Sequence, residues 1–141
     1  MNETYHLKLQ DGQGYEALVA ISGNISLYGL AEHLLDTIGF DMDHAFGFYD
    51  GLQNPYHSKE KYTLFADMGE SEDGEPGVHQ TFIPDVFEPG KQMIFLFDYG
   101  DDWHFLITCT GIEEPTSKRK VRKVISETGT PPEQYPDCDD E

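Results

Sequence analysis

Phe95-Leu96-Phe97-Asp98-Tyr99-Gly100-Asp101-Asp102-Trp103-His104-Phe105-Leu106-Ile107 is the stretch on which the reading of this chain turns. Two apolar runs, Met93 to Phe97 and Trp103 to Thr110, flank five residues that carry three carboxylates and a glycine. Apolar runs of this length bounded by Asp and Gly read as strands joined by a tight turn. Asp98 can bond the backbone two residues on, and Gly100 offers the turn a residue tolerant of positive φ. Trp103, the sole tryptophan, opens the second strand on the face of Phe105, Ile107 and Cys109, because side chains alternate along a strand.

Toward the N-terminus the same antiparallel grammar recurs. Tyr5, Leu7 and Leu9 alternate with polar residues as in a half-buried strand. Asp11-Gly12-Gln13-Gly14 is a turn, and Tyr15 to Ile21 reads as the returning strand of a hairpin. Leu27, Leu30, Ala31, Leu34, Leu35 and Ile38 then fall at helical spacing and form one apolar stripe. Ser26 stands at the N-cap position and Gly39 where a left-handed C-terminal cap belongs. His33 falls at the margin of the stripe.

Between helix and signature, Ala45 to Tyr49 reads as a short aromatic strand, Gly51 to Lys61 as a polar loop and Tyr62 to Phe65 as another short strand. Gly69 to Gly77 reads as an acidic, glycine-rich, mobile surface loop, and Phe82 to Phe87 as a helical turn with Pro84 near its start. Lys118 to Lys123 holds five of the nine basic residues, and Val121 to Ile125 reads as an edge strand whose lysines discourage sheet-to-sheet pairing. Thr128 to Glu133 is extended or turn-like, and Asp137 to Glu141 reads as a solvated acidic tail.

Composition sets the outer limits. The 141 residues suit one domain with its own core. Lys and Arg number 9 against 27 Asp and Glu, a net charge of −18 that repels nucleic acid and anionic lipid at long range. Cys109 sits in an apolar strand and reads as a core residue, Cys138 in the acidic tail as an exposed one, so the pair makes no disulfide scaffold. With no apolar run of spanning length and no signal-peptide pattern, the expectation is a cytoplasmic protein with no membrane segment.

These segments, in this order, resemble the plasmid pRiA4b ORF-3-like family, whose members include insertion-element passenger proteins. The resemblance rests on Tyr5-His6-Leu7-Lys8-Leu9, on Ser26 to Leu30 with Ile38-Gly39-Phe40-Asp41-Met42-Asp43-His44-Ala45-Phe46-Gly47-Phe48, on Phe95 to Trp103, and on Gly129-Thr130-Pro131-Pro132-Glu133. Phe97 to Trp103 is similar to the family's aromatic-Asp-aromatic-Gly-Asp-x-Trp signature and is the specific piece. This chain departs from the pattern at Phe105, where a histidine is usual, at Thr130, where a cysteine is usual, and at Gln134, where an aspartate is usual. Many members continue with a helical C-terminal region, whereas this sequence ends at Glu141. The resemblance implies an α+β fold and no established activity. If the family holds a metal at those positions, this member lacks part of the set.

Two readings of the signature stand. In the simpler one Asp98, Asp101 and Asp102 shape a turn. In the other, Asp98, Asp101 and His44 converge on a divalent metal, since carboxylates suit Mg²⁺, Mn²⁺ or Ca²⁺ and an added imidazole suits Zn, Mn or Fe. Asp102 or His104 would then transfer the proton in a metal-dependent hydrolase. No serine sits in a nucleophile elbow, no glycine-rich phosphate loop is present, and no histidine has an i, i+4 partner. The expectation is therefore a single α+β domain over 1–141, with a mostly antiparallel sheet of five to seven strands and one main helix packed across it. Its function is read as a non-catalytic binding or adaptor module linked to mobile elements, with a protein partner. Asp98, Asp101, Asp102, Trp103, His104 and His44 are its candidate site residues. The metal-dependent hydrolase is the alternative, and nucleic-acid binding through Lys118 to Lys123 is opposed by the net charge.

Overall fold

Alternation along Thr4–Gln10 (β1) buries Tyr5, Leu7 and Leu9, and each meets a partner of the same kind on the neighbouring strands. Leu7 lies opposite Val19 and Leu9 opposite Ala17 on Glu16–Ser22 (β2), the two strands forming an antiparallel hairpin. On the other side of β1, Leu9 lies opposite Ile107 and Leu7 opposite Cys109. In the computed structural model, which describes residues 3–71, 73–115 and 119–135, this register extends into a seven-stranded antiparallel sheet. Its remaining strands are Phe46–Tyr49 (β3), Lys61–Thr63 (β4), Gln92–Phe97 (β5), Trp103–Glu113 (β6) and Arg122–Thr128 (β7), in the order β4-β3-β5-β6-β1-β2-β7. The fold is α+β, as the strand and helix patterning implies.

One face of the sheet carries the core. Phe46 and Phe48 of β3 stand opposite Phe97 and Phe95 of β5, and Phe95 stands opposite Phe105 of β6. The apolar stripe of Leu27–Ile38 (α1) closes over this face, with Leu27, Leu30, Ala31 and Leu34 fully buried in the same cluster. Each such leucine contributes roughly 1.5–3 kcal/mol by leaving water. Ser26 caps the helix by accepting from the Gly29 amide, and Gly39 ends it at φ 80°, after which the Phe40 amide returns to the Leu35 carbonyl.

Several elements differ from the sequence reading. His33 is not at the margin of the stripe: it is 7% exposed, and its Nε2 lies 3.1 Å from the Lys123 carbonyl of β7. The edge strand β7 covers it, a long-range contact that helical periodicity does not contain. Tyr62–Phe65 is not one strand. β4 stops at Thr63, whose hydroxyl accepts from the Ala66 amide and starts a helical turn, Leu64–Asp67 (α2). A 3₁₀ turn over Pro55–His57 interrupts the polar loop, and Ile83–Val86 (α3) is the turn foreseen at Pro84. The outer strand β7 begins later and runs longer than Val121 to Ile125. It takes a bulge at Ile125, between the Leu18–Ser126 and Val19–Val124 pairs, and a bulge with flanking cations blunts an edge. Lys118, Cys138 and the acidic tail from Asp137 lie outside the described residues.

Strands β3 and β5 are also buried on the second face. There Tyr49, Ile94 and Leu96 are each at most 6% exposed. Gly47 leaves the room this requires: a Cβ would sit 3.0 Å from the Tyr99 hydroxyl and 3.0 Å from the Tyr62 carbonyl.

Candidate functional site

The signature turn is built around Asp98. Its backbone adopts φ 65°, a left-handed conformation that Asp tolerates better than most residues. Its Oδ1 accepts from the Gly100 amide at 3.1 Å and the Asp101 amide at 3.2 Å, and its carbonyl accepts from the Asp102 amide. Its own amide donates to the Ala45 carbonyl at 2.9 Å, tying the turn to the residue before β3. A carboxylate 5% exposed is thus held by backbone donors.

The other oxygen of Asp98 faces His44, Oδ2 to Nε2 at 3.4 Å. His44 Nε2 also lies 2.8 Å from the Tyr135 hydroxyl, which donates to Asp43 Oδ2 at 2.9 Å. Because Tyr135 spends its proton on Asp43, it accepts from His44, so Nε2 carries the ring proton. Gln134 completes this clasp: its Oε1 accepts from the Asp41 amide at 2.7 Å, and its Nε2 donates to the Asp41 carbonyl and to Asp43 Oδ1. A carboxylate in place of this amide would lack the two donors.

The remaining sequence-derived residues go elsewhere. Asp101 is exposed and no ion pair joins it to His44 among the described residues. Asp102 Oδ1 accepts from the Tyr56 hydroxyl and is paired with His104 Nε2, both at 2.9 Å. Trp103 stacks on Phe105 and meets the edge of Phe40 at a centroid distance of 5.0 Å, and its buried Nε1 has no hydrogen-bond partner. Among the described residues no group of three or more His, Cys, Asp and Glu is placed to hold a metal ion. His44 and Asp98 are brought together; the three-ligand set with Asp101 is not.

A cavity of about 560 Å³ opens on the second face of the sheet, beside the turn. Tyr49, Tyr56, Phe65 and Tyr99 supply its aromatic wall, and Lys61, Thr63, Glu70, Asp73 and Glu75 its polar one. The hydroxyls of Tyr49 and Tyr99 are 2.6 Å apart, and the rings of Phe65 and Tyr99 meet at 5.1 Å and 43°. Burial and the bond to Tyr49 push the Tyr99 phenol well above its ordinary value. Desolvation and the bond to Asp102 push Tyr56 up to about 12. Burial opposes ionisation of Glu75, but bonds from Ser71, the backbone and Thr63 outweigh it and hold the carboxyl down at about 2. Lys61 is paired with Asp73, which raises its ammonium.

The polar wall has its own support. Asp67 Oδ2 accepts from the Val78 and His79 amides and lies 2.9 Å from His79 Nδ1, while the His79 ring stacks on Tyr28 at 4.1 Å. A Cβ at Gly77 would collide with the Asp67 carboxylate. Of the cavity residues, Tyr49 and Tyr99 read from the sequence as parts of a strand and a turn. Tyr56, Phe65 and Glu75 fall in segments whose sequence reads as loop or strand, and no local spacing joins them.

A family model described as plasmid pRiA4b ORF-3-like protein matches residues 17–139. The crystal structure of a protein of unknown function from Methanosarcina mazei Go1 has a similar fold, with a TM-score of 0.70 at 17% sequence identity over 90% of this chain and 70% of that one. At that identity the likeness concerns the fold alone. No curated protein matches the chain. Among the described residues no helix is long and apolar enough to cross a membrane.

Proposed function

The chain belongs to the plasmid pRiA4b ORF-3-like family, and from that premise we propose that it is a non-catalytic binding module whose ligand site is the aromatic cavity beside the signature turn. The observation that carries this reading is the division of labour within the turn. Asp98 spends one carboxylate oxygen on the turn's own amides, whereas Tyr99 projects into a 560 Å³ cavity and Asp102 anchors a second wall residue, Tyr56. Concave sites of this size lined by aromatic rings with a few polar groups are the usual form of a small-ligand pocket.

The test is an NMR titration of isotope-labelled protein with small neutral, cationic and anionic fragments. Saturable shifts confined to Tyr49, Tyr56, Phe65 and Tyr99 are expected with at least one class. No saturable shift in the cavity with any class would end the reading. Saturable perturbation of His44 and Asp98 by Zn²⁺ or Mn²⁺ would instead favour the metal-dependent hydrolase.

A further inference from the structure

The cavity has a charge as well as a shape. The polar lining holds one cation, Lys61, against three carboxylates, Glu70, Asp73 and Glu75. Lys61 pairs with Asp73 and its ammonium is also favoured by Glu75, so negative charge is in excess. Glu75 is a fixed anion, because three protein donors hold it ionised throughout the ordinary pH range. The same cavity is lined by the rings of Phe65 and Tyr99, tilted to one another, and by Tyr56 and Tyr49. An anion entering here would meet an excess of carboxylates inside a protein of net charge −18. A neutral apolar group would leave those carboxylates without new partners. A cation with an extended flat face satisfies both walls at once.

We propose that the aromatic cavity bounded by Tyr49, Tyr56, Phe65, Tyr99 and Glu75 binds a guanidinium group, stacked on the rings and hydrogen-bonded to Glu75. This rests on reading the cavity as a ligand site and names the chemistry that it takes. Guanidinium fits better than a primary ammonium. It is planar, weakly hydrated and stacks on aromatic faces, and it needs only one N–H for the single acceptor position that Ser71, Asp73 and Thr63 leave on Glu75 Oε2, whereas an ammonium is a compact, strongly hydrated point charge. The tyrosine hydroxyls offer further oxygen acceptors at the rim. The same group is carried by a free guanidino amine and by an arginine side chain on a protein.

The experiment titrates labelled full-length protein with four probes: agmatine, and blocked Gly-Arg-Gly, Gly-citrulline-Gly and Gly-Glu-Gly tripeptides. Citrulline has the shape of arginine without the charge. Saturable shifts at the four aromatic residues with agmatine or the arginine peptide, at least about tenfold tighter than with citrulline, are expected. Tighter binding of agmatine points to a free amine, and tighter binding of the arginine peptide to a protein segment. Glu75→Gln, which keeps the side-chain size and removes the charge, is expected to weaken the preferred cation about tenfold and to leave citrulline unchanged. Lys61→Met is expected to tighten it.

Equal binding of arginine and citrulline peptides, or preference for the glutamate peptide, overturns the guanidinium assignment while leaving the cavity a ligand site. Cation shifts spread over the acidic surface, without saturation at the aromatic residues, also overturn it by reducing the effect to general attraction. Silence of the cavity toward all four probes overturns it too. The fragment titration of the preceding subsection then decides separately whether the cavity binds anything.

Discussion

The hydroxyl of Tyr56 donates to Asp102 Oδ1 over 2.9 Å, joining the 3₁₀ turn after β3 to the end of the β5–β6 turn 46 residues later. This bond fixes one wall of the aromatic cavity to the signature hairpin. Desolvation and the Asp102 carboxylate together hold the Tyr56 phenol at about 12, against an ordinary value of 10.0. Asp102→Ala is expected to let Tyr56 titrate closer to 10, followed by ¹³C NMR of the tyrosine Cζ atoms. An unmoved Tyr56 would show that the bond does not form in solution. The pair is exposed, but Asp102 sits at φ 60°, a conformation that alanine adopts less readily, so the variant should cost about 1–2 kcal/mol.

Asp98 makes a different kind of demand. Its left-handed backbone and its two amide partners both suit an Asx side chain. Asp98→Asn keeps an acceptor at Oδ1 and should cost about 1 kcal/mol in urea unfolding, whereas Asp98→Ala loses both bonds and strains φ, costing about 3 kcal/mol. Equal costs for the two variants would contradict this account of the turn.

Gln134 clamps the described C-terminal end onto the loop after α1 through three hydrogen bonds. Gln134→Ala should destabilise by about 1–2 kcal/mol. Gln134→Glu should be worse at neutral pH, because a carboxylate cannot donate to the Asp41 carbonyl and is repelled by Asp43. A glutamate variant as stable as the parent would refute the donor role of the amide.

His33 links folding to pH. Desolvation lowers its pKa in the folded state below the ordinary 6.5, and the Lys123 carbonyl requires the proton on Nε2. Above 6.5 neither state binds the extra proton and nothing is lost. As pH falls below 6.5 the unfolded chain takes up the proton first, so stability decreases down to the depressed folded value. His33→Gln keeps an N–H donor without a titrating ring. Urea midpoints at pH 7.5 and 5.5 should therefore fall less in this variant than in the parent, and an identical fall in both would show that His33 carries none of the effect.

How far the fold and the cavity were legible depends on the range of the interaction concerned. Leu27 to Ile38 show a helical stripe because 3.6 residues per turn put the same face toward the core at each recurrence, and Ser26 and Gly39 mark its ends through their own backbone chemistry. Tyr5, Leu7 and Leu9 reveal β1 through alternation, and Phe97 to Trp103 reveal a hairpin because Asp98 closes the turn upon residues adjacent in sequence. These are local effects, complete within a few residues, and so they are written in residue order. The burial of His33, the stop of β4 at Thr63 and the clasp between Gln134 and Asp41 are not of that kind. Neither is the cavity. Tyr49, Tyr56, Phe65, Glu75 and Tyr99 meet because the sheet order places β3 between β4 and β5, which folds two loops and one hairpin turn over the same face. Which strands become neighbours is settled by the cooperative burial of both faces of β3 and β5, a property of the whole sheet that no single segment carries.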